Sequence, residues 1–101
     1  MARVRVKTLG YLQNIAGGME HEIEVESRST VEDVLKRLVD TYRELSSELY
    51  TREGSLNPRI RILVNGRDIS HMKGLETSVS DGDIIAIIPP IGGGVPPYPY
   101  I

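Results

Sequence analysis

Residues 3–9 alternate in polarity, with Arg3, Arg5 and Lys7 on one side and Val4 and Val6 on the other. Residues 21–26 repeat the pattern, setting Glu22, Glu24 and Glu26 against Ile23 and Val25. A period of two predicts a pair of strands, each with one buried face. Folded as a hairpin around residues 10–19, they set Arg3 opposite Glu26, Arg5 opposite Glu24 and Lys7 opposite Glu22. The same register pairs Val4 with Val25 and Val6 with Ile23. A one-residue slip misplaces both sets, so polarity and charge favour one arrangement. Exposed ion pairs of this kind contribute about 0.2–1 kcal/mol each, so they select register more than they stabilise.

The period then changes. Val31, Val34, Leu35, Leu38, Tyr42, Leu45 and Leu49 recur at helical spacing, an apolar stripe that predicts a helix lying on a sheet. Thr30 with Asp33 makes a suitable N-cap, and Ser29 with Glu32 makes a capping box one residue earlier. The helix is expected to end before Gly54, near Ser46 or Ser47, with Leu45, Leu49 and Tyr50 in either helix or packed loop. A third strand follows at residues 60–64, then the tight-turn pair Asn65-Gly66 and a short strand at residues 67–69. The final strand, Ile84-Ile85-Ala86-Ile87-Ile88, has lost its alternation, as a strand covered on both faces does. The helix covers one face. A partner on the other would contact Ile85 or Ile87 together with Leu63.

Composition narrows the function. The chain has 101 residues, the size of one domain, with 12 Lys and Arg against 14 Asp and Glu. That balance supplies no basic field for nucleic acid, and no apolar run approaches the roughly 20 residues that span a bilayer. No signal peptide is evident, so a cytoplasmic location is expected. There is no cysteine, which excludes a disulfide scaffold, a zinc-thiolate centre and a thiol nucleophile. His21 and His71 share no ligand spacing and are expected to be solvated, and Asp81-Gly82-Asp83 lacks the further oxygen ligands of a calcium loop. No metal site is expected.

The remaining feature is the end of the chain. Pro89, Pro90, Ile91, Gly92, Gly93 and Gly94 follow the last strand, and Val95, Pro96, Pro97, Tyr98, Pro99, Tyr100 and Ile101 come after them. Three glycines make a thread that fits a channel too narrow for a Cβ atom. They do not form a phosphate loop, because no Lys-Ser/Thr and no helix follows.

The order strand, strand, helix, strand, short strand, strand, with a glycine tail, resembles the α+β β-grasp (ubiquitin-like) fold, a mixed sheet of four to five strands packed on one main helix. The matching stretches are Val4 to Leu9, Ser29-Thr30-Val31-Glu32, Leu63-Val64-Asn65-Gly66, and Leu75 to Gly94. The string from Asp81 through Pro89-Pro90-Ile91 to Gly94 is the specific part. Within that fold the chain resembles the MoaD/ThiS family of sulfur carriers, whose members include the small subunit of molybdopterin synthase. The resemblance implies a β-grasp domain at 1–88, a functional tail at 89–94 and an extension at 95–101.

It also implies that the carboxylate of Gly94, reached through Gly93, is the reacting group. A ubiquitin-activating-like enzyme would adenylate it with ATP, and sulfur transfer would make a thiocarboxylate. A large molybdopterin synthase subunit would then pass the sulfur to a pterin. The protein itself would bind no cofactor and catalyse nothing alone. In this chain, however, Gly94 is joined to Val95 as an amide, which cannot be adenylated. A processing protease must release residues 95–101, or the chain acts otherwise. The alternatives are a protein modifier or a sulfur donor to tRNA or thiazole, and, in another class, a non-conjugating binding subunit that uses its Pro/Tyr tail.

Overall fold

The computed structural model describes residues 1–90, so Ile91, Gly92, Gly93, Gly94 and the 95–101 extension lie outside the described residues. Five strands form one mixed sheet: β1 (Ala2–Thr8), β2 (Glu20–Val25), β3 (Arg61–Val64), β4 (Arg67–Asp68) and β5 (Ile84–Ile88). Their order across the sheet is β2-β1-β5-β3-β4. β5 enters the middle, parallel to β1 and antiparallel to β3. This is the α+β β-grasp arrangement.

α1 (Leu12–Ile15) is a single turn in the β1–β2 connection, and α2 (Val31–Thr41) is the helix laid on the sheet. Val31, Val34, Leu35 and Leu38 point into the core with Val4, Val6, Ile62, Val64, Ile85 and Ile87. α2 begins at the Thr30 capping box: the Asp33 backbone N–H donates to Thr30 Oγ1 at 3.3 Å, and the Thr30 backbone N–H donates to Asp33 Oδ2 at 2.9 Å. Ser29 is buried instead, its carbonyl accepting from the Val79 backbone N–H.

Two expectations need correction. The β1–β2 hairpin pairs Arg3 with Glu24, Val4 with Ile23 and Arg5 with Glu22, which is two residues from the expected register. A two-residue shift preserves both the buried face and the cation-to-carboxylate pairing, so pattern alone could not distinguish the two. The helix also stops earlier than its stripe predicts. Tyr42 leaves helical geometry at φ −122° and ψ 80°, a 3₁₀ turn spans Arg43–Leu45, and α3 (Ser46–Leu49) starts afresh. A straight helix of about 20 residues would run about 30 Å, against about 23 Å for a seven-residue strand. Beyond the break Leu45 and Leu49 are both fully buried in the core cluster.

Candidate functional site

The tail is launched from a fixed point. The Leu9 backbone N–H donates to the Ile87 carbonyl at 3.1 Å, holding the end of β5 against the end of β1. Immediately beyond, Pro89 is seated on Gly10, where a Cβ atom would come within 2.8 Å of Pro89 Cγ. Gly10 also has φ +58°, so both the backbone and the space require glycine there. Pro89 and Pro90 are half-buried. Beside this exit, burial pushes the Tyr11 phenol up from its ordinary value, and a hydrogen bond with Glu48 adds to the shift.

The start of β5 is equally fixed. Asp81 accepts from the Arg3 backbone N–H at 2.8 Å, and Asp83 accepts from the Ser80 backbone N–H at 2.7 Å and from Asn65 Nδ2 at 3.0 Å. Asn65 Oδ1 in turn accepts from the Ile84 backbone N–H at 2.9 Å. The carboxylates of the Asp-Gly-Asp segment therefore organise a turn, with Gly82 at φ +89°. Asn65 and Gly66 both have positive φ, which is the backbone of a tight hairpin turn.

Between these two anchors, β5 presents its second face away from α2. Here the expected assignment of Ile85 and Ile87 to a partner surface is corrected: both are fully buried against the helix. Ile84, Ala86 and Ile88 occupy the outer face, with Ile84 37% exposed and the other two half-buried. Leu63 lies on that outer face, opposite Ala86 and half-buried. β5 has no charged side chain to mark which parity faces water, so its sequence is silent on the choice. The register with Arg5, which neighbours Ile84, and with Arg61, which neighbours Ile88, settles it.

The result is an apolar stripe between two charged margins. On one side Arg5 and Lys7 stand next to Ile84 and Ala86, with Glu20 and Glu22 beyond them on β2. On the other, Arg61 Nε binds Asp68 Oδ2 at 3.2 Å, and the Asp68 carboxyl is held below its ordinary range mainly by hydrogen bonds from Ser70. Arg3 is engaged by Glu24 at 2.9 Å. Among the described residues no carboxylate lies within ion-pair distance of Arg5 or Lys7. A contiguous apolar strip with a polar rim is what a docking surface looks like.

His21 also departs from expectation. Its ring is half-buried, 5.1 Å from the Tyr42 ring, and Nε2 lies 3.1 Å from the Gly18 carbonyl and 3.2 Å from Thr8 Oγ1. It packs on the helix side rather than in solvent. His71 is exposed.

Residues 6–94 match the profile of the ThiS family, a span that closes on the third glycine. The chain belongs to the ThiS family. Members of this family are small carrier and modifier proteins, and the chain's relatives come from both groups. Small archaeal modifier protein 3 of Haloferax volcanii is 37% identical over 70 residues, covering 69% of this chain and 75% of that protein. The sulfur carrier protein CysO of Mycobacterium tuberculosis is 33% identical over 70 residues, 67% of this chain and 75% of its own. The solution structure of small archaeal modifier protein 1 from Methanosarcina acetivorans superposes with a TM-score of 0.82 at 38% identity, covering 93% of this chain and 98% of that one. No helix among the described residues is long and apolar enough to cross a membrane.

Proposed function

We propose that this ThiS-family chain is a sulfur carrier made as a precursor, whose working end is the Gly94 carboxylate exposed when a protease cuts the Gly94–Val95 bond. The observation that carries this reading is the family match, which ends at Gly94 and leaves residues 95–101 outside it. The chemistry follows from that end. A carboxylate oxygen of Gly94 attacks the α-phosphorus of ATP in the active site of a ubiquitin-activating-like enzyme, and pyrophosphate leaves. Attack of hydrosulfide on the acyl carbon then expels AMP, loses a proton and leaves a thiocarboxylate. No side chain of this protein takes part, in keeping with a chain that has no cysteine.

Pro89, seated on Gly10, fixes the point from which the tail departs, while Leu63, Ile84, Ala86 and Ile88 form the surface the enzyme grips. The large subunit of a molybdopterin synthase would take the same surface and accept the sulfur for a pterin. The likeness to small archaeal modifier proteins supports a second reading, in which the activated Gly94 is joined to lysines of other proteins. Both readings share the tail chemistry and differ only in the acceptor.

Intact mass of the protein from its own cells tests the proposal. The carrier reading expects a chain ending at Gly94, part of it with one oxygen exchanged for sulfur. Gly94 found in isopeptide linkage to other proteins would support the modifier reading. A cellular pool consisting solely of chains that retain residues 95–101 would overturn both.

A further inference from the structure

β2 stands at one margin of the sheet, with β1 as its one strand neighbour among the described residues. The Thr8 backbone N–H donates to the Met19 carbonyl at 2.8 Å, which makes Thr8 and Met19 a hydrogen-bonded pair next to the β1–β2 ladder. Such pairs alternate along an antiparallel ladder, so His21 and Ile23 bond to β1, whereas the N–H and C=O groups of Glu20, Glu22 and Glu24 turn outward. β1 shows the complementary parity, its Arg5 N–H donating to the Asp83 carbonyl on the β5 side. Among the described residues no other backbone group bonds the outward atoms of β2. We propose that this edge accepts an extended segment of another protein, in which Lys or Arg alternates with aliphatic residues.

Charge and burial together define the segment. A strand added antiparallel to β2 sets one side chain opposite each of Glu20, Glu22 and Glu24 on the outer face, where all three are exposed. Arg3 holds Glu24 at 2.9 Å and lies 3.9 Å from Glu22, while Glu20 has no cation within ion-pair distance among the described residues. Opposite charges facing these carboxylates are favourable, and like charges are not. The intervening side chains fall on the helix side beside His21 and Ile23, both half-buried, where aliphatic groups extend the cluster that Ile23 already joins. β1 meets the other side of β2 with this same alternation, Arg3-Val4-Arg5-Val6-Lys7.

A second copy of this chain does not fit the edge. Its β2 would bring glutamates against glutamates, and the opposite margin, β4, has only the residues Arg67 and Asp68 to offer a ladder. Charged residues on an edge ordinarily discourage unwanted pairing. Here they carry one sign, which bars acidic strands and self-pairing and admits basic strands. The edge lies across β1 from the β5 stripe, so the inference stands apart from the proposed sulfur chemistry.

The probe is the peptide Arg-Val-Arg-Val-Lys-Thr, blocked at both ends and carrying the sequence of residues 3–8. Amide hydrogen exchange of the full chain, followed by NMR, reads the ladder residue by residue. In the free chain the Glu22 and Glu24 amides should exchange faster than those of His21 and Ile23, and saturating peptide should slow them by about tenfold or more. A Glu20→Gln/Glu22→Gln chain should bind the peptide about fivefold more weakly. The peptide Glu-Val-Glu-Val-Glu-Thr should not bind. Nor should the basic peptide methylated on the backbone nitrogens of its Arg and Lys residues, which keeps the charges but cannot donate to the ladder. Equal binding by the methylated peptide would mean charge attraction without strand addition, and would overturn the proposal. So would unaltered exchange of Glu22 and Glu24 at millimolar peptide, or protection in the free chain that fades on dilution, which would put a second copy on the edge.

Discussion

Tyr50 carries its hydroxyl into a buried position where the oxygen finds no hydrogen-bond partner. Burial pushes its pKa up, with the nearby Glu32 charge adding to the shift. Folding therefore favours the neutral phenol. That contribution is complete below the ordinary tyrosine pKa of about 10 and is lost as pH rises through the raised folded value. Tyr50→Phe should leave stability at neutral pH unchanged or raise it by about 1 kcal/mol, because an unsatisfied polar atom is removed. In denaturant titrations at several alkaline pH values, the variant should fall less steeply than the native chain. A loss of more than about 1 kcal/mol at pH 7 would reveal a partner for the hydroxyl.

Isoleucines on the two faces of β5 should behave in opposite ways. Ile84→Asp places a charge where Ile84 is already partly in water, so the domain should stay folded while its affinity for an activating enzyme falls by tenfold or more, about 1.4 kcal/mol. Ile87→Asp buries an unpaired carboxylate in the core and should unfold the domain, seen as loss of the cooperative thermal transition. The reverse outcome would exchange the two faces. This is also where residue-scale reading of the sequence reached its limit. Arg61 marks Leu63 as outward within its own strand, whereas a run of aliphatic residues carries no such mark, and only pairing with β1 and β3 orients it.

At the scale of elements, the strands, the main helix and its Thr30 cap were legible because each depends on local spacing or a local hydrogen bond. The hairpin register and the helix end were not. Register is degenerate whenever alternate residues share a charge sign, as Arg3, Arg5 and Lys7 do against Glu20, Glu22, Glu24 and Glu26. α2 ends where Tyr42 leaves helical geometry, although the apolar stripe runs on through Leu45 and Leu49, so a helical window sees no stop. Gly10 belongs to the same category, since part of its need for glycine arises from Pro89, which is remote in sequence. Gly10→Ala should cost about 1–2 kcal/mol from the left-handed backbone, plus whatever displacing the Pro89 ring adds. A chemical-denaturation midpoint measures the total, and a loss no larger than the backbone cost alone would mean that Pro89 is not seated there. The closing Asp-Gly-Asp turn, apolar strand and glycine tail made the family legible, whereas the tail's own placement falls outside the described residues.

For the molecule as a whole, the proposed function makes the domain a handle and the glycine carboxylate the reacting group. β5 is the link between them: one face locks into the core, the other faces outward, and Pro89 just beyond its end is seated on Gly10. Everything chemical then depends on which residue ends the chain. ATP–pyrophosphate exchange with a cognate activating enzyme tests that most directly, comparing the chain ending at Gly94 with the chain ending at Ile101. The account predicts exchange with the first and none above background with the second, whose terminal carboxylate sits on an arm too wide and too stiff to thread a channel sized for glycine. Equal exchange by the two chains, or exchange by the longer one alone, would contradict it.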